Sequence, residues 1–61
     1  MAHLSEKELS FVKDMMSEEE LLVKKFQMLA DQSENADVKE EMMKLSNKHQ
    51  EHFNKLYAKL S

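Results

Sequence analysis

Three side chains in this sequence combine metal-binding or acid–base chemistry with positions where an apolar residue is expected: Glu19, His49 and His52. Glu19 interrupts the heptad series Val12, Glu19, Phe26, Ser33. His49 does the same in Met42, His49, Leu56, and His52 stands in the companion series Leu45, His52, Lys59. Residues three apart on a helix project from one face, so the two imidazoles point the same way. A buried carboxylate is costly unless it is paired or bound to a cation. Two arrangements meet that demand. One is an ion-pair or hydrogen-bonded layer from Glu19 to His49 or His52, of the kind that fixes register and oligomer state. Polar core residues of that kind are commoner than bound metals. The other is a metal site, since one carboxylate with two imidazoles is the ligand set of non-haem iron and also suits zinc or manganese. Di-metal carboxylate bundles use Glu-x-x-His on the second helix of each pair. Here the spacing is His49-x-x-His52, and the residue three before His49 is Ser46.

The elements that must position these side chains are helices. Ser5 with Glu8 is a capping-box pattern, and Leu4 with Leu9 fits the accompanying hydrophobic staple. Apolar residues then recur at steps of three and four through Val12, Met15, Met16, Leu22, Val23, Phe26, Leu29 and Ala30, one stripe of an amphipathic helix. The stripe stops in the polar stretch Asp31–Asp37, where Asn35 is the residue best suited to a left-handed conformation that ends the helix. Asp37 with Glu40 repeats the cap logic. A second stripe follows: Val38, Met42, Leu45, His49, His52, Phe53, Leu56 and Leu60, with Lys55 and Lys59 near its end, where cations favour the helix dipole. The expected architecture is all-α: helix one over about 5–33, helix two over about 37–60, in a single domain covering 1–61. A short link makes the helices antiparallel neighbours. In a hairpin turning near Asn35, residues at equal height have numbers summing to about 70, so Glu19 faces the gap between His49 and His52. Each stripe is broader than one partner helix covers. The hairpin is therefore expected to dimerise into a four-helix bundle.

Composition narrows the function classes. A chain of 61 residues needs a disulfide, a metal or a partner chain for stability. With no Cys, a partner chain or a non-thiolate metal site remains. Gly and Pro are also absent, as are Ile and Thr, which leaves mostly good helix formers. The formal charge of −3, with both signs interspersed, argues against a nucleic-acid partner. No apolar run approaches the ~20 residues of a membrane span, and the N-terminus lacks the pattern of a secretory signal, so a cytoplasmic location is expected. Five methionines follow the first residue; they suit core filling far better than a copper–thioether site. His3 would bind Cu(II) only next to a free amino terminus at the right spacing, which removal of Met1 would spoil. Glu18 and Glu20 are a solvated face paired with Lys24 and Lys25. There is no nucleophile triad and no phosphate-binding loop, so no enzymatic activity is expected.

Several stretches carry a family likeness. Lys7-Glu8-Leu9-Ser10, Leu22-Val23-Lys24-Lys25-Phe26 and especially Lys48-His49-Gln50-Glu51-His52-Phe53-Asn54 resemble small clostridial spore coat proteins related to the coat protein F (CotF) group. The resemblance covers nearly the whole chain and implies a ferritin-like helical hairpin. Glu19 falls where that family also has a glutamate. Many of these relatives carry Cys and Pro near the turn, and this chain carries neither. The resemblance implies a place, the spore coat or the cytoplasm of the sporulating mother cell, and other coat proteins as partners. The leading expectation is a structural or interaction protein that self-associates in the coat. The alternative is a minimal ferritin-like protein with iron, zinc or manganese at Glu19, His49 and His52.

Overall fold

The computed structural model describes residues 4–60, which form two helices, α1 (Glu6–Gln32) and α2 (Ala36–Ala58), packed against each other with no strand among the described residues. His3 lies outside the described residues. The helix boundaries fall within two residues of those read from the pattern. The N-terminus of α1 is closed by the capping box: the Ser5 hydroxyl accepts from the Glu8 N–H at 3.1 Å, and the Glu8 carboxylate accepts from the Ser5 N–H at 3.0 Å. Two of the otherwise orphaned donors of the first turn are thereby satisfied.

The link differs from expectation. Asn35 is not left-handed; its φ is −90° and ψ 122°, and no described residue has a positive φ. Asn35 is instead the N-cap of α2, with its side-chain oxygen accepting from the Asp37 and Val38 N–H groups at 2.9 and 3.0 Å. The physical reason is economy of chain. With only Ser33–Asn35 between the helices, the residue that might close α1 is needed to open α2, and an N-cap requires extended backbone. Asp37 accordingly lies inside the first turn of α2, where its charge complements the dipole, and is not the cap. Ser33 ends α1 in extended backbone, and its hydroxyl both accepts from the Asn35 N–H and donates to the Asn35 carbonyl. Such a link needs no glycine.

The hairpin is a rod, 46 × 16 × 11 Å. Its radius of gyration of 14.2 Å compares with about 10.5 Å for a compact globule of this length. The seam runs through Val12, Met16, Glu19, Val23, Phe26 and Ala30 on α1 and through Met42, Ser46, His49, Phe53 and Leu56 on α2, all buried or half-buried. Among the described residues only Val23 and Ala30 are buried apolar residues. Met15 and Val38, expected in the stripes, are about half exposed. They sit on the shoulder of the seam, which a single opposing helix does not reach.

Candidate metal centre

The midpoint of α1 carries Glu19, and the hairpin sets it opposite the fourth and fifth turns of α2. The structure brings Glu19, His49 and His52 together. His49 Nδ1 lies 2.6 Å from Glu19 Oε1, and His52 Nδ1 lies 2.9 Å from Glu19 Oε2. One carboxylate thus spans two imidazoles, one oxygen to each. A carboxylate oxygen only accepts, so each Nδ1 is assigned the hydrogen and each Nε2 is left outward. Glu19 is buried, His49 mostly so, and His52 is 45% exposed. The cluster is closed toward the seam and open at the His52 edge.

Packing holds the rings in place. Phe26 stacks on His49 with centroids 5.5 Å apart and planes 7° from parallel. His49 meets His52 edge-on at 5.4 Å and 89°. Phe26 shields the layer on the side toward the turn, and no buried side-chain polar atom among the described residues lacks a hydrogen-bond partner.

The donor set fits a divalent first-row ion. One ligand atom from each residue lies within 4.8 Å of the others. With metal–ligand bonds of about 2.1 Å, neighbouring ligands stand roughly 3.0 Å apart in an octahedron and 3.4 Å in a tetrahedron. The observed 2.6 and 2.9 Å are direct carboxylate–imidazole contacts, a little shorter than either. Admitting an ion requires each ring to give up its Nδ1 hydrogen, the two carboxylate contacts to open by less than about 1 Å, and the ligand atoms that now stand up to 4.8 Å apart to draw together. Three protein ligands leave further coordination positions on the open edge.

Ser46 is a feature the pattern did not reveal. It is the most buried polar residue, 4% exposed, and its hydroxyl donates to the Val23 carbonyl at 3.1 Å across the helix pair. With Ala30, it lets the two backbones approach closely on one side of the seam. The signal was a small residue between Met42 and His49 on an otherwise large-residue stripe. Val23 with Ser46 and Glu19 with His49 both confirm that equal heights sum to about 70.

No helix among the described residues is long and apolar enough to cross a membrane. Comparison of the chain with known protein families, with characterised proteins and with solved structures gives no match.

Proposed function

We propose that this chain is a structural and interaction protein, a helical hairpin that self-associates into a four-helix bundle. The observation that carries the reading is how little the hairpin buries by itself. Among the described residues Val23 and Ala30 are the only buried apolar ones, while Phe11, Met15, Leu21, Met28 and Tyr57 stand about half exposed or more. A second chain supplies the missing cover. On the resemblance of the Lys48–Asn54 segment to the coat protein F group, we place this assembly in the spore coat after synthesis in the mother cell, with other coat proteins as neighbours. Sedimentation over a range of concentrations, with far-ultraviolet circular dichroism, tests the assembly. A fully helical, monodisperse monomer refutes it. A fluorescent fusion spread evenly through sporulating cells would refute the location.

A second reading is favoured by the convergence of Glu19, His49 and His52: a minimal metal protein holding iron, zinc or manganese. Binding to the folded state alone raises stability by RT ln(1 + [L]/Kd), about 2.7 kcal/mol at a hundredfold excess over Kd. Melting curves with Fe(II), Zn(II) or Mn(II) should then shift upward in wild type and not in His52→Leu. Acidification should reverse the shift, because a protonated imidazole has no lone pair to give. An unshifted wild type near neutral pH with all three metals leaves the triad as a hydrogen-bonded core layer.

A further inference from the structure

The two shoulders of the hairpin are unlike. On one, Val23 meets Ser46, and a shallow groove is lined by Glu20, Val23, Gln27, Gln50 and Phe53. On the other, helical spacing places Phe11, Met15, Leu22 and Leu29 of α1 beside Leu45 and His52 of α2. This second shoulder is apolar, and it is where the Glu19–His49–His52 layer opens. Its outer margins are charged. The margin of α1 reads Lys7, Asp14, Glu18, Lys25, and that of α2, from the turn, Asp37, Glu41, Lys44, Lys48, Lys55. At matching heights, to within about one turn, Asp14 and Glu18 of α1 stand level with Lys55 and Lys48 of α2, so the middle of the rod is acidic on one margin and basic on the other. None of these four makes an ion pair among the described residues; the Lys–Glu pairs that form, Lys24–Glu20 and Lys44–Glu40, lie within single helices.

We propose that a second copy of this chain docks on the apolar shoulder with the twofold axis parallel to the long axis of the rod. This rests on the self-association reading and adds the face and the orientation. Two twofold arrangements can set this shoulder against itself. With the axis along the rod, α1 faces α2 of the partner at equal height, and Asp14 and Glu18 meet the partner's Lys55 and the partner's Lys48. With the axis across the rod at the polar layer, α1 faces α1 antiparallel and α2 faces α2. Glu18 then meets its own copy and Lys48 comes beside the partner's Lys55, offset only in part by Asp14 beside the partner's Lys25. Like charges in register disfavour that alternative. The exposed area supports a second copy as the occupant. The chain exposes 4967 Å², whereas a compact 7.2 kDa monomer exposes about 4100 Å². The excess, about 800 Å², is the share of one partner in a standard interface. Symmetry about the long axis also holds the two polar layers at one height, each closing the other's open edge.

Sedimentation of three forms of the full chain tests the arrangement: wild type, Asp14→Lys/Glu18→Lys, and the same variant carrying Lys48→Glu/Lys55→Glu in addition. Circular dichroism checks that each remains helical. The axis along the rod predicts that the double variant raises the dimer Kd by about tenfold or more at low salt, and that the fourfold variant restores it to within about threefold. The axis across the rod predicts that the fourfold exchange gives no rescue, because Asp14→Lys then faces the partner's Lys25 in both variants while the margin of α2 meets only itself. A wild type that is monomeric throughout refutes self-association itself. A dimeric wild type with an unweakened double variant, or a weakened one that the fourfold exchange does not rescue, overturns the orientation alone.

Discussion

Glu19→Ala removes the one carboxylate that both imidazoles share, and its cost can be worked from the two contacts. The His49 contact is 2.6 Å long between side chains that are 22% and 10% exposed, so losing it strands a largely desolvated donor, worth about 1.5–2 kcal/mol. The His52 contact is 2.9 Å long, but the ring is 45% exposed and water replaces the lost partner, which limits the loss to about 0.5–1 kcal/mol. Together they give about 2–3 kcal/mol, below the ~3–5 kcal/mol typical of breaking a fully buried pair. A domain of this length has roughly 3–9 kcal/mol in all, so the variant should melt about 10–20 °C lower. Glu18→Ala, one residue away on an exposed position, should stay within about ±0.5 kcal/mol of wild type. Thermal and urea unfolding at one fixed protein concentration is the assay, because the stability of an oligomer depends on concentration. If Glu19→Ala and Glu18→Ala unfold at the same midpoint, the polar layer contributes nothing and the reasoning fails.

Other expectations follow from single contacts. Ser46→Leu should cost about 1–3 kcal/mol by overpacking, because the site is 4% exposed and the backbones meet there; an unchanged urea midpoint would show that the helices can separate freely. Asn35→Ala should cost about 1 kcal/mol and Asn35→Gly only a few tenths, the order expected of an N-cap; a stabilised glycine variant would point instead to a left-handed residue there. The Ser5 N–H, and secondarily its hydroxyl, hold the Glu8 carboxyl below the ordinary carboxylate range. A depressed folded value means that the cap's contribution is present above the ordinary carboxylate pKa and is lost as pH falls through the lowered one. Side-chain titration by NMR should show Glu8 moving toward the ordinary value in Ser5→Ala, and identical curves in the two proteins would contradict the capping box.

Much of this structure is legible in the residues because its helices are long and strongly periodic. The capping box at Ser5 and Glu8 is a local, sequence-contiguous device, and it forms as read. The meeting of Glu19 with His49 and His52 is not local, yet it follows from rise per residue and one short link, which convert sequence distance into height. The same arithmetic does not say which of two neighbouring stripe positions points inward. Met15 and Met16 both fit the period, and only the direction of α2 decides that Met16 turns in while Met15 stays half exposed. Asn35 is ambiguous in the sequence because two termini compete for one residue. Asparagine is favoured both at the end of one helix and at the start of the next, and the length of the link settles the matter. The burial of Ser46 is not legible in the sequence, because a buried serine is visible only through its partner, the Val23 carbonyl, which no side-chain pattern encodes.

The layer at Glu19 also answers a question that the apolar seam leaves open. Val12 and Phe26 stand a heptad either side of Glu19, and Met42 and Leu56 a heptad either side of His49. Sliding α2 along α1 by a heptad would therefore set apolar residues against apolar residues almost as well as the native register does. The slide would place Glu19 opposite Met42 or Leu56, with its two imidazole partners more than 10 Å away along the rod. It would also part the Ser46 hydroxyl from the Val23 carbonyl. Each loss strands a polar group where little water reaches, and the cost grows with burial. The methionines and leucines thus supply cohesion without choosing a register; the short Ser33–Asn35 link sets it, and the polar layer penalises any departure from it. Twofold pairing along the rod extends the same logic, since two chains in register hold both layers at one level, whether the carboxylate is answered by imidazole alone or by a metal ion held between them.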